Sequence, residues 1–319
     1  MKIVFAGTPE FSVRPLEELI EGGFEIVCVV TQEDKPQGRK GVLTPPPVKA
    51  FALQKGIPVI QPKKIRDEIE LLSSFGGEAM ITCAYGQLLT QAVLDLFPKG
   101  VWNIHAGLLP EYRGASPIQS AVLNGERETG VCVMQTELGL DSGDVLAVEK
   151  TQIGEEETSG ELSVRLSEIG AKMIRSLIPV IESGDYTLQK QREEGVNIYK
   201  KISKDRAKID FSQSAQTIVN LVRAMNPEPV AFTAAGELRI NVFKAKALPP
   251  ERYAQICEEA GRAFACGEVV YDVPKKGFIV ACSGGAVEFC EVQVAGGKRM
   301  SGKDFLNGRK VQKGQVLSC

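Results

Sequence analysis

Residues 2–30, KIVFAGTPEFSVRPLEELIEGGFEIVCVV, carry the pattern from which the rest of the fold is read. An apolar run of strand length, KIVFAG, passes through a Gly/Pro turn into the helix candidate Ser12 to Gly22, and a second apolar run, EIVCVVTQ, follows. Short apolar runs separated by an amphipathic stretch are the mark of parallel strands joined by crossover helices. The same pattern continues outward: PVKAFALQKG follows the second run, PVIQP precedes IRDEIELLSSF, and EAMITCAYG precedes LTQAVLDLF. Four strand-then-helix units in a row predict an α/β domain built on a Rossmann-like, doubly wound, mostly parallel sheet.

VWNIHAG supplies a fifth strand, and Ser116 to Asn124 reads as a helix with serine at its N-cap and proline at its first position. TGVCVMQTE and DVLAVEKTQI, joined by the turn LGLDSGD, predict an antiparallel extension of the sheet. A helix from about Ser159 to Ser183 closes this half. Beyond residue 204 there is one helix candidate, SAQTIVNLVRAM, and then a series of short strands with glycine turns and no helices between them. Such a texture predicts a smaller C-terminal β-barrel, OB-like in size. The expected division is a catalytic domain over 1–189, a polar linker over 190–206 and the barrel over 207–319.

Charge separates the halves. Residues 1–203 hold 21 Lys+Arg against 28 Asp+Glu, whereas residues 204–319 hold 17 against 12, although the whole chain carries only −2. A basic end on a mildly acidic chain suits a polyanionic partner or, equally, a solvated basic surface.

Several classes are set aside. No apolar run is long enough to span a membrane and the amino terminus has no signal-like stretch, so a cytoplasmic protein is expected. The eight cysteines are scattered without a C-x-x-C pair, and one histidine offers little help, so no metal is expected and buried free thiols are the simpler reading. FAGTPEF has one glycine where a dinucleotide loop needs three, and no phosphate-cradling G-x-x-x-x-G-K-[ST] motif occurs. Gly7 and Thr8 remain as lining of the crevice at the end of the first strand, or as a simple turn.

The single histidine lies in Asn103-Ile104-His105-Ala106-Gly107-Leu108-Leu109-Pro110. Asn103 and His105, two apart in a strand, project from one face at roughly 6.5 to 7 Å backbone separation. They precede a Gly/Pro turn, which places them at the carboxyl end of a strand, where open α/β sheets bind ligands. Asparagine offers an amide donor that never ionises and histidine titrates near neutrality, so the pair suits an oxyanion and a mobile proton. Asp141 and Asp144, in the turn LGLDSGD, are candidates to hold or tune the imidazole, though aspartate there is also a turn former. With no nucleophilic Ser or Cys in a recognisable elbow, the set points to acyl-type transfer by direct attack of the substrate.

The stretch NIHAGLLPEYRGASPIQSAVLNGERETGVCVMQTELGLDSGDVL, from Asn103 to Leu146, resembles the core of the formyltetrahydrofolate-dependent formyltransferases. The resemblance extends over essentially the whole chain, including IVFAGTPEFSVRPLEELI, AYGQLL and the C-terminal barrel. It implies that Asn103, His105 and Asp141 are catalytic, that 10-formyltetrahydrofolate is the co-substrate, and that Gly107, Leu108, Leu109 and Pro110 contact the folate. Tyr85, Gly86, and Leu138 and Leu140 of the turn Glu137 to Leu140, are further candidates for the pterin pocket. The family usually has serine where this chain has Gly107, which removes a hydroxyl and leaves backbone contacts.

The loop TQEDKPQGRKGVLTPPPVK, Thr31 to Lys49, resembles the insert by which one branch of the family engages the acceptor end of initiator methionyl-tRNA. Physically, Lys35, Arg39, Lys40 and Lys49 among prolines and glycines present positive charge without a regular frame, which suits an RNA backbone. The resemblance singles out Arg39 there. Phe11 is a candidate to pack on the methionyl side chain, or an ordinary core phenylalanine. The resemblance thus implies a monomer that formylates the methionyl amine for translation initiation. Two other readings stay open: the same chemistry on an amino-sugar nucleotide or glycinamide ribonucleotide, which would not need the basic loop and barrel, and a tRNA-binding module without catalysis, which would not need the Asn/His/Asp set.

Overall fold

The computed structural model describes residues 1–38, 41–270, 277–308 and 311–318. The backbone divides into two compact units, one of residues 1–117, 128–152 and 163–200, the other of residues 118–127, 153–162 and 201–319.

The first unit follows the expected alternation: β1 (Lys2–Gly7), α1 (Val13–Glu21), β2 (Glu25–Val30), a two-stranded hairpin of β3 (Lys35–Gln37) and β4 (Val42–Thr44), α2 (Pro47–Gln54), β5 (Val59–Ile60), α3 (Ile69–Ser74), β6 (Ala79–Cys83), α4 (Gln91–Leu94) and β7 (Val101–His105). After the short β8 (Arg113–Gly114) comes α5 (Pro117–Asn124), nearly all of which counts with the second unit, then β9 (Glu128–Gln135), β10 (Val145–Gln152), α6 (Ser159–Ser183), whose first turn also counts with the second unit, and β11 (Ile198–Tyr199). Seven strands form one sheet in the order β10-β9-β7-β6-β1-β2-β5. β5, β2, β1, β6 and β7 run parallel, and β9 and β10 add the antiparallel extension. Strand order reverses between β1 and β6, the position at which open sheets form a crevice.

One face of this sheet is covered by a core that includes Val4, Val30, Met80 and Val101. Against the other lies α6, whose Gly170 has no room for a side chain because a Cβ would come 2.7 Å from Ile104 Cγ2. Ile104 faces α6, so alternation along β7 sends Asn103 and His105 to the opposite face.

Two sequence expectations differ here. The basic loop forms the hairpin β3–β4, with Val42 61% and Leu43 64% exposed, rather than an irregular stretch. The segment expected as a linker holds regular structure: β11 pairs with β8, and Lys204–Ala207 form a 3-10 turn.

In the second unit α7 (Ala215–Ala224) begins at Ser214, whose hydroxyl accepts from Thr217 N. Then come β12 (Ala231–Ala235), β13 (Leu238–Ala247), α8 (Pro250–Ala260), β14 (Val269–Val270), β15 (Phe278–Cys282), β16 (Gly285–Val294), β17 (Met300–Ser301) and α9 (Gly302–Asn307). The strands form a curled antiparallel sheet, β12-β13-β16-β15-β14, with β17 on β16. Isolated bridges from Val316 to Glu268 and from Ser318 to Ala234 link its two edges. Phe211, Phe278, Phe289 and Phe305 fill the interior. α8 and α9 were not expected. α8 starts with proline at its first turn, ends at Gly261 in the left-handed region and buries only Ile256, so it leaves almost no apolar periodicity to read.

Candidate active site

Asn103 and His105 stand on β7 between Thr82 of β6 and Met134 and Cys132 of β9. The Thr82 hydroxyl donates to Asn103 Oδ1 at 2.9 Å. That bond takes up the amide oxygen and leaves Asn103 Nδ2 without a partner among the described residues, free to donate.

His105 is 5% exposed. Its Nε2 lies 2.6 Å from the carbonyl oxygen of Tyr112. A carbonyl only accepts, so Nε2 carries a proton and, in the neutral ring, the lone pair sits on Nδ1. Nδ1 is 3.8 Å from Asp141 Oδ2. The sequence offered Asp141 or Asp144 to hold or tune the imidazole; the main-chain carbonyl of Tyr112 is bonded at Nε2, and the Asp141 carboxylate lies beside Nδ1. Cys132, on the neighbouring strand, is inert because burial pushes its thiol up to about 11.

Asp141 arrives by an indirect route. β9 is antiparallel to β7, so Gln135 sits opposite Trp102, at the start of β7. The connection 136–144 turns back and brings Asp141 to His105. Asp141 has φ +48° and its Oδ2 accepts from Gly114 N at 2.7 Å. Gln191 Nε2 donates to the carbonyls of Asp141 (2.8 Å) and Gly143 (2.7 Å). An open pocket of about 570 Å³ beside this turn is lined by Arg113, Glu137, Ser142, Asp144, Lys190 and Gln191 among others. Asn103, His105 and Asp141 are not part of its lining.

The other predicted positions divide. Gly107 is packed tightly: a Cβ there would lie 2.9 Å from Pro117 Cβ, 3.0 Å from Tyr112 Cβ and 3.1 Å from His105 Nε2. Serine would oblige these neighbours to shift, so glycine lets the turn close on the imidazole. Leu108 is half-buried and Pro110 is buried, while Leu109 packs against Cys132, Met134 and Val145. Tyr85 is 4% exposed and belongs to the core, so its ring does not line an open pocket. Its carbonyl accepts from Thr8 Oγ1 and Gln32 Nε2. Gly86 beside it is exposed at φ +87°, and Leu138 (63%) and Leu140 (43%) are exposed on the returning turn.

Phe11 is half-buried in a 3-10 turn after β1, its carbonyl accepting from Ser167 Oγ; no hydrogen bond or ring contact among the described residues joins it to the His105 group. Lys35 is exposed on β3. Lys49 is engaged instead, its Nζ bonded to both oxygens of Asp34 at 2.8 Å and to Gln61 Oε1 at 2.6 Å. That ammonium holds the Asp34 carboxyl below its ordinary range. Arg39 and Lys40 lie outside the described residues, as do Arg309 and Lys310 of the basic tail.

The sequence did not reveal Thr82, Tyr112, Gly114 or Gln191. Only Thr82 left a trace, as the polar member of the buried run Ala79–Cys83.

The chain matches the family profile "Formyl transferase" over residues 1–178 and "Formyl transferase, C-terminal domain" over residues 201–310. It is 40% identical to a curated methionyl-tRNA formyltransferase of Symbiobacterium thermophilum, the match covering 100% of this chain and 95% of that one. It is also 40% identical to the enzyme of that name from Bacillus subtilis, covering 99% and 97%. Among solved structures, a sugar 3N-formyl transferase, WlaRD, superposes with a TM-score of 0.64 at 20% identity, covering 92% of this chain and 97% of that one. HypX from Aquifex aeolicus in complex with tetrahydrofolic acid gives 0.66 at 17%, covering 98% and 48%.

Proposed function

The chain belongs to the formyl transferase family, and on that premise we propose that it transfers the formyl group of 10-formyltetrahydrofolate to the free α-amino group of initiator methionyl-tRNA. The observation that carries this is the meeting of Asn103, His105 and Asp141 in a chain that aligns from end to end with methionyl-tRNA formyltransferases.

An aminoacyl α-amine with a pKa near that of an α-amino group, ~7.7 to 8, is partly neutral at physiological pH and needs no strong activation. It attacks the formyl carbon, and the carbonyl oxygen gains negative charge. Asn103 Nδ2 donates to that oxygen, its direction set by Thr82. His105 works at Nδ1, because Nε2 is committed to Tyr112. It takes a proton from the amine, directly or through water, and the imidazolium so formed is stabilised by Asp141. The intermediate then collapses, the bond from the formyl carbon to N10 of the folate breaks, and that proton passes to N10 as tetrahydrofolate leaves. The exposed Leu138 and Leu140 and the backbone around Gly86 and Gly107 offer apolar and amide surface to the pterin. Lys35, with Arg39 and Lys40 a few residues on in the sequence, contacts the tRNA backbone; Lys49 holds the base of the hairpin through Asp34.

The test is to incubate the protein with 10-formyltetrahydrofolate and methionine-charged initiator tRNA and to weigh the aminoacyl group by mass spectrometry. A formyl group on the methionyl amine is expected. Formylation of an amino-sugar nucleotide instead would keep the chemistry and overturn the acceptor.

A further inference from the structure

We propose that residues 189–200 form a strap that holds the turn bearing Asp141, and that Gln191 is the positioning residue for that carboxylate. The inference rests on the role given to Asp141 above. In sequence this stretch is polar and shows no period. In the structure it is bound along the catalytic region of its own unit. Gln189 and Val145 exchange both backbone hydrogen bonds at 2.8 Å. Asn197 O accepts from Arg113 N at 3.1 Å and Tyr199 O accepts from Ala115 N at 2.8 Å, while the Tyr199 ring stacks on Tyr112 at 5.0 Å. Tyr112 is the residue whose carbonyl fixes the tautomer of His105.

Gln191 joins the two sides. Its Oε1 accepts from Arg113 Nε at 3.1 Å and Nη2 at 2.7 Å, and its Nε2 donates to the carbonyls of Asp141 and Gly143. Guanidinium only donates and carbonyls only accept, so the amide has one orientation and all four of its hydrogen-bonding positions are in use.

The site needs such a clamp. Asp141 lies at φ +48°, in the left-handed region, which aspartate adopts more readily than most residues and which its hydrogen bonds here hold. It has two anchors: Gly114 N–H on the carboxylate and Gln191 on the carbonyl. Gly114 belongs to β8, whose strand partner is β11 of the strap, and a Cβ on Gly114 would collide with the Tyr199 carbonyl oxygen. Both anchors are therefore placed by residues 189–200. Releasing the strap frees Asp141 to move relative to His105 Nδ1.

Full-length Gln191→Ala, Gln191→Glu and Asp141→Asn proteins separate the possibilities. Gln191→Glu keeps the bond to Arg113, now charge-assisted, but turns a carboxylate oxygen toward two carbonyl oxygens. A displacement of about 1 Å at a catalytic group costs on the order of 10²-fold, so kcat is expected to fall ~10- to 10²-fold in both Gln191 variants. KM for methionyl-tRNA should be unchanged, and the Tm of Gln191→Glu should fall by only a few degrees. The ratio of Gln191→Glu to parent activity should rise as pH falls, because a protonated carboxyl regains one donor for the turn; the Gln191→Ala ratio should stay flat. A strap that only braces the fold would move Tm and leave that pH dependence absent. Parent-like kcat in both Gln191 variants, with Asp141→Asn inactive, overturns this inference alone. Parent-like activity in Asp141→Asn overturns the catalytic reading and the inference with it.

Discussion

Thr82→Val removes one hydroxyl from a side chain that is 6% exposed and leaves its shape almost unchanged. The hydroxyl lies 2.9 Å from Asn103 Oδ1 and, in the proposed mechanism, decides which end of that amide is turned toward the substrate. A neutral hydrogen bond of this kind contributes about 0.5 to 1.5 kcal/mol, which corresponds to a factor of roughly 2 to 13 in the ratio of the two amide orientations. An amide turned the wrong way offers its oxygen to a developing oxyanion and does not catalyse. The fall in kcat is therefore bounded by that factor, and a loss between about twofold and tenfold is expected. Asn103→Ala, which removes the donor altogether, should lose ~10²- to 10³-fold. KM should hardly move, since the interaction belongs to the transition state. The assay is single-turnover formyl transfer with saturating methionyl-tRNA, read by mass spectrometry alongside a thermal melt, with Thr82→Ser as the control that keeps the hydroxyl. A Thr82→Val rate equal to the parent's, or one as low as that of Asn103→Ala, would refute the reasoning.

Further outcomes follow from the same geometry. His105→Ala is expected to lose at least ~10²-fold in turnover while binding tRNA almost normally, measured by filter binding; a defect confined to tRNA affinity would contradict its catalytic role. Lys35→Ala should lower the slope of log affinity for tRNA against log salt by about 0.7 to 0.9, whereas Lys49→Ala should chiefly lower Tm, because its charge is already matched by Asp34. The nearly buried Glu18 is bonded by Arg175 and Arg14, which hold its carboxyl below the ordinary range. A depressed folded pKa gives stability that is complete above the unfolded value of ~4.3 and is lost as pH falls through the folded one. Glu18→Gln should therefore cost about 1 to 2 kcal/mol at pH 7, reduced by the partial exposure of both arginines, and the difference in Tm should vanish in acid. Gly170→Val should cost about 1 to 3 kcal/mol by wedging α6 off Ile104, seen as a lowered Tm.

The central sheet was legible because its inner strands β1, β6 and β7 are buried and read as continuous apolar runs, and Asn103 and His105 stood out as candidates because their chemistry lies in the side chains. Tyr112 acts through a carbonyl that any residue could supply, so nothing in the sequence marks it. Gly114 acts through an N–H and through lacking a Cβ, and its neighbour across β11 lies some 85 positions away. Gln191 could not be found for a related reason: its partners, Arg113, Asp141 and Gly143, are distant in the chain, and a glutamine in a polar stretch looks the same whether it is solvated or clamped. α8 was missed since a helix that buries one residue has no apolar stripe.

The second unit takes residues 118–127 and 153–162 from the first half of the chain, and Leu123 packs with its core of Phe211, Phe278 and Phe289. On the ribosome this ordering has a cost in time. The first unit is complete once Lys200 has emerged, but about 120 residues remain to be made, and at roughly 5 to 20 residues per second that leaves an interval of some 6 to 24 seconds. Throughout that interval Leu123 has been made but the core against which it packs has not. The nascent chain thus carries this leucine without its partners, open to chaperones and to other nascent chains until the rest of the second core is made.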